Sequence, residues 1–329
     1  MYLEFYGLNE KPFNVTPDPR FLYLSAHHQE ALAILMYGIQ ERKGFIVITG
    51  EVGSGKTTLL HTFLDRLEPG VRAAYLFNTS LSQADLLRYI AQDFEVPTQA
   101  TTAADLLADL NAWLIDRLVH GENSVLIIDE AQNLSPELLE SVRLLSNLET
   151  SREKLLQIVL VGQPELNLTL NHPSLRQLKQ RISLRYHIPP LTRTETLDYI
   201  LQRLRIAGAR GTVFTPRAME EVYHASRGIP RVINIICDNA LLIGYAAGAK
   251  PVDVDAVAEA VRDLELGPAA DGGAVEPPEV LLRKEPEGEP TPPVGVGRPL
   301  RRPTRAGGWG PWVVALSAVA ALAAGAALV

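Results

Sequence analysis

Short, almost uninterrupted apolar runs alternate with amphipathic stretches over the first 190 residues of the chain. Five runs have the length and the β-branched content typical of buried strands. They are Phe45–Ile48, Ala73–Phe77, Val125–Ile128, Leu156–Val161 and the weaker Ser183–Ile188. Strands that are apolar on both faces favour a parallel sheet that is covered by helices on both sides. We therefore predict an α/β core domain over residues 1–190.

The next part of the chain, residues 191–266, shows only helical spacing and no strand-like run. Four helices are predicted, over Thr192–Ala207, Thr215–Ser226, Pro230–Ala247 and Asp253–Leu264. Thr215 and Asp253 are residue types that cap helix N-termini, as is Ser135 before Pro136 in the first domain. We expect a small all-helical lid domain that follows the core.

The composition changes again after residue 266. Residues 267–308 are rich in Pro and Gly and contain too few large apolar side chains to offset the entropy that a chain loses on folding, so we expect a disordered linker. Residues 309–329 carry no charge, and a helix of about 20 residues spans a hydrocarbon core of roughly 30 Å. We expect a transmembrane helix there, with the preceding arginines on the cytoplasmic side; an amphipathic or disordered Ala-rich tail is the alternative.

Charge and cysteine content narrow the class of protein. The 329 residues carry a formal net charge of −7, which argues against a protein that coats nucleic acid through overall positive charge. Cys237 is the one cysteine, so an intrachain disulfide and a Cys-rich metal site are excluded. The N-terminus lacks the basic and then apolar pattern of a signal sequence.

A glycine-rich loop stands between the first predicted strand and a predicted helix. Glycines let the backbone N–H groups turn towards a phosphate, and the helix N-terminus adds partial positive charge. The lysine of such a loop reaches the β- and γ-phosphates, and the hydroxyl that follows it binds Mg²⁺. The motif predicts ATP and Mg²⁺ as cofactors. The residues expected to bind them are Gly50, Glu51, Val52, Gly53, Ser54, Gly55, Lys56, Thr57, Thr58 and Asp129, with Thr57 and Asp129 as the metal ligands.

Two carboxylates follow the third predicted strand directly. Asp129 and Glu130 end the run Val125–Ile128, which places them at the carboxyl edge of a parallel sheet, where α/β proteins bind ligands. We expect Asp129 to hold the Mg²⁺ shell and Glu130 to act as the general base on the attacking water. Lys56 and Glu130 are thus the first two of the predicted catalytic residues.

Further polar residues are candidates for contact with the γ-phosphate. Gln163 follows the fourth strand, although a plain loop glutamine fits its position too. Arg181 is chosen from three arginines near the fifth strand as a group that reaches a neighbouring subunit's nucleotide, with an ordinary surface arginine as the alternative. Arg231 lies at the start of a helix, where the helix dipole makes a positive charge unfavourable. Helix stability therefore does not explain this residue, and we predict that it binds an anion. Asn78 is a candidate restraint on Glu130.

With these motifs the chain resembles the AAA+ ATPases of the general secretion pathway protein A family, including the subfamily linked to exopolysaccharide and sorting-signal loci. The resemblance rests on residues 1 to about 265. The matching segments are Tyr6–Leu8, Lys11–Phe13, Pro17–Ser25, the phosphate loop, Asp129–Leu134, Leu144–Glu149, Gly162–Leu166 and Gly228–Arg231. The resemblance implies the strand order of an AAA+ core, Arg231 as the second sensor and Arg181 as the trans-acting finger.

The same resemblance implies a place in the cell and a set of partners. The family implies a single-pass protein of the inner (cytoplasmic) membrane, with its ATPase in the cytoplasm, that forms a homo-oligomer or assembles with a membrane protein of the secretion pathway. Its implied role is assembly or remodelling of a secretion or envelope apparatus. Because this sequence ends at Val329, the family's periplasmic activity is not carried over. A DNA-binding regulatory ATPase of the transposition type is the alternative, although the acidic charge makes nucleic acid an unfavoured partner.

Overall fold

The computed structural model describes residues 2–14, 18–77, 82–150 and 153–265. The predicted linker 267–308, the predicted transmembrane helix 309–329 and Asn78 lie outside these residues. Within the described ranges, no helix is both long enough and apolar enough to cross a membrane.

Five parallel strands form one sheet. They are β1 (Phe45–Gly50), β2 (Val71–Leu76), β3 (Asn123–Ile128), β4 (Gln157–Gly162) and β5 (Ile182–Ile188), in the spatial order β2-β3-β4-β1-β5. β1 pairs with both β4 and β5, so the loop that follows it lies at the sheet's carboxyl edge, between the ends of these two strands. The sequence-based prediction of a parallel α/β sheet of five strands is confirmed.

Helices cover both faces of this sheet, because side chains alternate along each strand. In β1, Phe45 and Val47 are buried in one layer, and Ile46 and Ile48 in the other. The first layer is completed by α4 (Gln83–Asp93), α5 (Ala103–Val119), α6 (Pro136–Leu145), α7 (Glu165–Leu170) and α8 (Arg176–Arg181). The second is completed by α2 (Ala26–Gln40) and α3 (Lys56–Asp65). Strands buried on both sides account for the continuous apolar runs.

The helical domain contains the four predicted helices. They are α9 (Arg193–Ile206), α10 (Pro216–Ser226), α11 (Pro230–Ala246) and α12 (Val254–Asp263). The predicted caps act as such, since the side chains of Thr215 and Asp253 accept from Ala218 N and Ala256 N, each at 3.1 Å. Cys237 is fully buried among apolar side chains, and burial raises its pKa.

Residues 2–14 and 18–24, here called the N-terminal segment, pack on the helical domain. The segment starts with α1 (Tyr2–Tyr6) and buries its large apolar side chains in the same cluster as α9–α12. Tyr2 Oη donates to Asp238 Oδ1 at 2.7 Å, and Asn9 N donates to Ala207 O at 2.7 Å. Fully burying one large apolar side chain is worth roughly 1.5–3 kcal/mol, so this cluster fixes the segment firmly. The sequence pattern did not predict this contact.

Candidate functional site

The glycine-rich loop lies where the sequence predicts it, between the end of β1 at Gly50 and the start of α3 at Lys56. Gly53 and Gly55 have φ of +78° and +97°, a backbone region that residues other than glycine rarely adopt. Gly55 occupies the N-cap position of α3 and offers no side chain to the first turn of the helix. The first N–H groups of α3 therefore face the loop without a side-chain cap, which is the arrangement that binds anions.

Lys56 turns back across this loop. Its side chain is buried, and Nζ donates to Gly50 O at 2.9 Å and Glu51 O at 3.0 Å. Burial lowers the pKa of Lys56, while the nearby carboxylates of Glu130 and Asp129 counteract that shift. In the part of the chain that the structure describes, its hydrogen-bond acceptors are two neutral carbonyl oxygens, which leaves its charge available to attract an anion in the loop.

Asp129 brings the end of β3 into contact with the loop. Its Oδ2 accepts hydrogen bonds from Thr57 Oγ1 at 2.9 Å and from Tyr75 Oη at 3.0 Å, and its Oδ1 accepts from Glu130 N at 2.9 Å. Burial raises the pKa of Tyr75, with a further rise from the charge of Asp129, so this phenol remains a donor. The two predicted metal ligands thus lie in direct contact.

Glu130 is fixed by two side-chain amides. Its backbone has φ of +50°, and its Oε2 accepts from Gln132 Nε2 at 2.6 Å and from Gln163 Nε2 at 3.2 Å. Gln163 N also donates to Gln132 Oε1 at 3.0 Å. The structure therefore places Gln163 beside Glu130, while its predicted contact with the γ-phosphate stays a prediction, and adds Gln132, which had no assigned role.

The loop and Glu130 border a cavity of about 440 Å³. Its walls come from the loop and α3, from Glu130 and His28 of α2, from the N-terminal segment and from the helical domain. Predicted residues that line it are Val52, Gly53, Ser54, Gly55, Lys56, Thr57, Thr58, Glu130 and Arg231. Gly50 and Glu51 contribute through their carbonyls to Lys56, and Asp129 through its bond to Thr57.

Comparison with known proteins agrees with this geometry. A family model described as an AAA domain matches residues 39–170. General secretion pathway protein A of Aeromonas hydrophila is 47% identical over 253 residues, which make up 77% of this chain. The chain contains an AAA domain and is related in sequence to general secretion pathway protein A. The resemblance seen in the sequence motifs is thereby confirmed, although the chain spans only 46% of that relative's length.

Solved structures show the fold of the AAA domain and its helical companion. The ORC2 protein of Aeropyrum pernix, solved with ADPNP and ADP, matches with a TM-score of 0.58 at 22% identity, over 78% of this chain and 72% of that one. Drosophila ORC bound to DNA matches with a TM-score of 0.58 at 18% identity, over 77% of this chain and 64% of that one. At such identities the likeness concerns the fold alone.

The helical domain contacts the AAA domain's phosphate loop at the start of α11. Arg231 N donates to Gly53 O at 3.3 Å, and a β-carbon on Gly53 would lie 2.4 Å from Arg231 Cβ. The Arg231 side chain is exposed and lines the cavity. The predicted second-sensor position is therefore adjacent to the loop.

Arg181 lies elsewhere. It ends α8, and its Nη1 donates to Ser146 Oγ at 2.6 Å. The side chain is half-buried, and it is not among the residues that line the cavity. The structure thus does not bring Arg181 to the phosphate loop of the same chain, and its predicted action on a neighbouring subunit stays a prediction.

Several residues at the AAA domain's cavity were missed by motif reasoning. His28 is buried, and its Nε2 lies 2.8 Å from Ser54 O while Nδ1 lies 2.7 Å from Ser25 Oγ. A carbonyl oxygen only accepts, so Nε2 carries the proton and Nδ1 accepts from the serine. The histidine thereby joins α2 to the phosphate loop, and burial lowers its pKa.

Arg203 of α9 is a second such residue. It is buried in the cavity wall and donates to Pro12 O at 2.5 Å, to Tyr199 Oη at 3.0 Å and to Asn14 O at 3.3 Å. Its guanidinium also lies 4.8 Å from the centre of the Phe21 ring. The cation therefore fastens the N-terminal segment to the helical domain. Its signal in the sequence is weak, since arginines recur along α9.

Proposed function

We propose that this chain binds ATP with Mg²⁺ and hydrolyses it. One observation carries the proposal: Lys56, Thr57, Asp129 and Glu130 come together at one loop, and Glu130 faces the same cavity as the loop. Phosphoryl transfer to water requires three parts: a phosphate cradle, a pair formed by a hydroxyl and a carboxylate, and a second carboxylate. The AAA domain and the relation to general secretion pathway protein A support this assignment.

The residues fit a nucleoside triphosphate. Position 55 requires glycine, because a β-carbon there would lie 3.0 Å from His28 Nε2 and because its φ of +97° is one that other residues rarely adopt. Within the described residues, the buried Ser54 Oγ has no hydrogen-bond partner. A cavity of about 440 Å³ falls in the usual range for ligand pockets, roughly 300–1,000 Å³. Phe21, Leu22 and Tyr199 are among the residues that line it, and apolar and aromatic side chains of this kind suit a base.

Thr57 and Asp129 are the residues that would hold Mg²⁺. Oxygen ligands suit this ion, which binds proteins through one or two side chains and completes its shell with phosphate oxygens and water. Among the residues that the structure describes, no cluster of three or more His, Cys, Asp or Glu side chains could hold a metal by itself. When bound, the ion would neutralise charge on the phosphates.

The chain's own residues supply the remaining functions. Glu130 accepts the proton of a water molecule whose oxygen attacks the γ-phosphorus as the bond to the ADP oxygen breaks. Lys56 and the first N–H groups of α3 stabilise the charge on the transferred group. Gln163 would act on the water through Glu130, because its amide holds the carboxylate at Oε2. Arg231 links this event to the helical domain through Gly53.

Two substitutions in the full chain test the proposal. Lys56→Ala removes the buried cation and is expected to abolish binding of ATP, measured by titration with a fluorescent ATP analogue. Glu130→Gln keeps the shape of the side chain but cannot accept the proton, so it is expected to bind the analogue normally and to lose phosphate release by roughly 100-fold or more. Normal turnover by Glu130→Gln would refute the assigned base. Addition of EDTA to the wild type is expected to stop turnover.

We also propose that the ATPase works as an oligomer at the cytoplasmic face of the inner membrane and assembles or remodels a secretion or envelope apparatus. The relation to general secretion pathway protein A and the uncharged residues 309–329 behind an arginine-rich flank support this role. The test is membrane fractionation of the full chain beside a variant truncated after residue 308. Retention of the full chain in the soluble fraction, at the level of the truncated variant, would contradict membrane anchoring.

A DNA-binding regulatory ATPase is the second candidate. The likeness to the fold of Drosophila ORC bound to DNA favours it only at the level of the fold, and the net charge of −7 disfavours it. Binding of the full chain to duplex DNA, weakening steeply with added salt, would support this candidate.

A further inference from the structure

Gln132 makes two hydrogen bonds that connect the ends of β3 and β4 at the carboxyl edge of the sheet. Its Nε2 donates to Glu130 Oε2 at 2.6 Å, and its Oε1 accepts from Gln163 N at 3.0 Å. Both functional ends of one amide are therefore used, one at the end of β3 and one at the end of β4. An amide that is engaged at both ends can adopt only one orientation, since its donor and acceptor are not interchangeable.

The local backbone is shaped around this side chain. Residues Ala131–Asn133 form a short 3₁₀ turn directly after Glu130, whose φ of +50° reverses the chain. Across from it, a β-carbon on Gly162 would lie 2.6 Å from Gln132 Oε1. A side chain at position 162 would thus displace the amide. The turn and the glycine together give Gln132 its place beside Glu130.

The amide contacts leave the two oxygens of Glu130 unequal. Oε2 accepts from both Gln132 and Gln163. Oε1 has no hydrogen-bond partner anywhere in the described ranges. A carboxylate with one oxygen fixed by two donors cannot rotate freely, and its other oxygen keeps a lone pair for a water molecule.

We propose that Gln132 is the positioning residue for Glu130, holding the carboxylate so that Oε1 faces the attacking water. The inference rests on the proposed ATPase activity and deepens it, because Gln132 contacts neither the phosphate loop nor the cavity. Precise placement of a catalytic group is worth roughly 10- to 100-fold in rate when it is lost. The effect belongs in kcat, since the nucleotide-binding residues stay in place.

Two substitutions distinguish the donor of the Gln132 amide from its acceptor. Gln132→Met has a similar length and loses both hydrogen bonds. Gln132→Glu keeps an oxygen acceptor for Gln163 N but replaces the donor with a charge that repels Glu130. Asn133→Met is the matched control, because Asn133 is an exposed residue of the same turn.

The experiment measures steady-state ATP hydrolysis and affinity for a fluorescent ATP analogue with the full chain. We expect both Gln132 variants to lose kcat by about 10- to 100-fold, with KM and analogue affinity within about twofold of the wild type, and the control to behave as the wild type. A double-mutant cycle adds a readout that a merely structural role would not give. In single turnovers, Gln132→Met should have no further effect on a chain that already carries Glu130→Gln, because both act through one group.

Three results would overturn the proposal: a kcat of Gln132→Met at or above that of the wild type, full activity of Gln132→Glu, or an undiminished effect in the Glu130→Gln background. These results differ from failure of the ATPase assignment itself. In that case the wild type would show no turnover that depends on Glu130.

Discussion

Gly53 of the phosphate loop and Arg231 of α11 approach so closely that a β-carbon on the glycine would lie 2.4 Å from Arg231 Cβ. The backbones are joined there as well, by the hydrogen bond from Arg231 N to Gly53 O. The glycine-rich loop and the start of α11 are thus in contact through main-chain atoms. A shift of one has to be accommodated by the other, so we expect the helical domain to respond to what the loop binds.

Gly53→Ala tests this contact. The new methyl group meets Arg231 and also places alanine at φ of +78°, so we expect a loss of about 1–3 kcal/mol in the free energy of unfolding. Affinity for a fluorescent ATP analogue should fall with it. Gly44→Ala is the control, because a β-carbon on Gly44 meets nothing within 4 Å. Equal stability and affinity of the two variants would contradict the contact.

Arg203 and its neighbour Arg205 allow a second comparison on one helix. Arg203→Met leaves the carbonyls of Pro12 and Asn14 without their donor, so we expect a loss of about 2–4 kcal/mol on urea unfolding and faster proteolysis near the N-terminus. Arg205 is exposed, and Arg205→Met should change stability by less than about 0.5 kcal/mol. A similar loss in both variants would show that the buried cation has no special role.

His28 predicts a pH dependence of stability. Burial lowers its pKa in the folded chain, so the unfolded chain binds the proton more readily. The contribution of the neutral ring is present above the unfolded value, about 6.5, and is lost as the pH falls below it, by up to about 1.4 kcal/mol per pH unit until the folded pKa is reached. Urea unfolding at pH 7.5 and 5.5 measures it. His28→Gln should lose less stability over this interval than the wild type; an identical loss would remove His28 as the cause.

Arg181 predicts complementation between subunits. If it acts on a neighbour's nucleotide, Arg181→Ala and Lys56→Ala chains are each inactive, but a mixture forms some interfaces with both parts intact. We expect the mixture to recover a fraction of wild-type phosphate release. Arg176→Ala, mixed in the same way, serves as the control that retains its own activity. Absence of recovery at concentrations where light scattering shows oligomers would contradict action in trans.

The sequence was most informative where chemistry imposes a fixed spacing. The strands, the loop between Gly50 and Thr57 and the helix caps at Thr215 and Asp253 follow from local patterns, and the structure has them at those places. Gln132 and Tyr75 were not found, because their roles depend on which strands are neighbours: β2 lies beside β3, and β3 beside β4. No local pattern of apolar and polar residues encodes that order.

The N-terminal segment was missed for a related reason. Its residues pair with positions far away in the sequence, as Tyr2 does with Asp238, 236 places later. Phe13 and Phe21 belong to segments that carry the family resemblance, but no periodic pattern there shows that they pack against the helical domain. Arg203 has no local signal either, because the carbonyls of Pro12 and Asn14 that accept its hydrogen bonds lie 191 and 189 places earlier in the sequence.

This packing has a consequence for folding during synthesis. A ribosome makes the N-terminal segment first, yet α11 and α12, which shelter it, emerge more than two hundred residues later. Until those helices have been made, the apolar side chains of the segment stay exposed on the nascent chain. This exposed surface, to which a chaperone would bind, consists of Tyr2, Tyr6, Leu8, Phe13 and Phe21. A fluorophore attached at α1 would accordingly report on the helical domain rather than on the sheet.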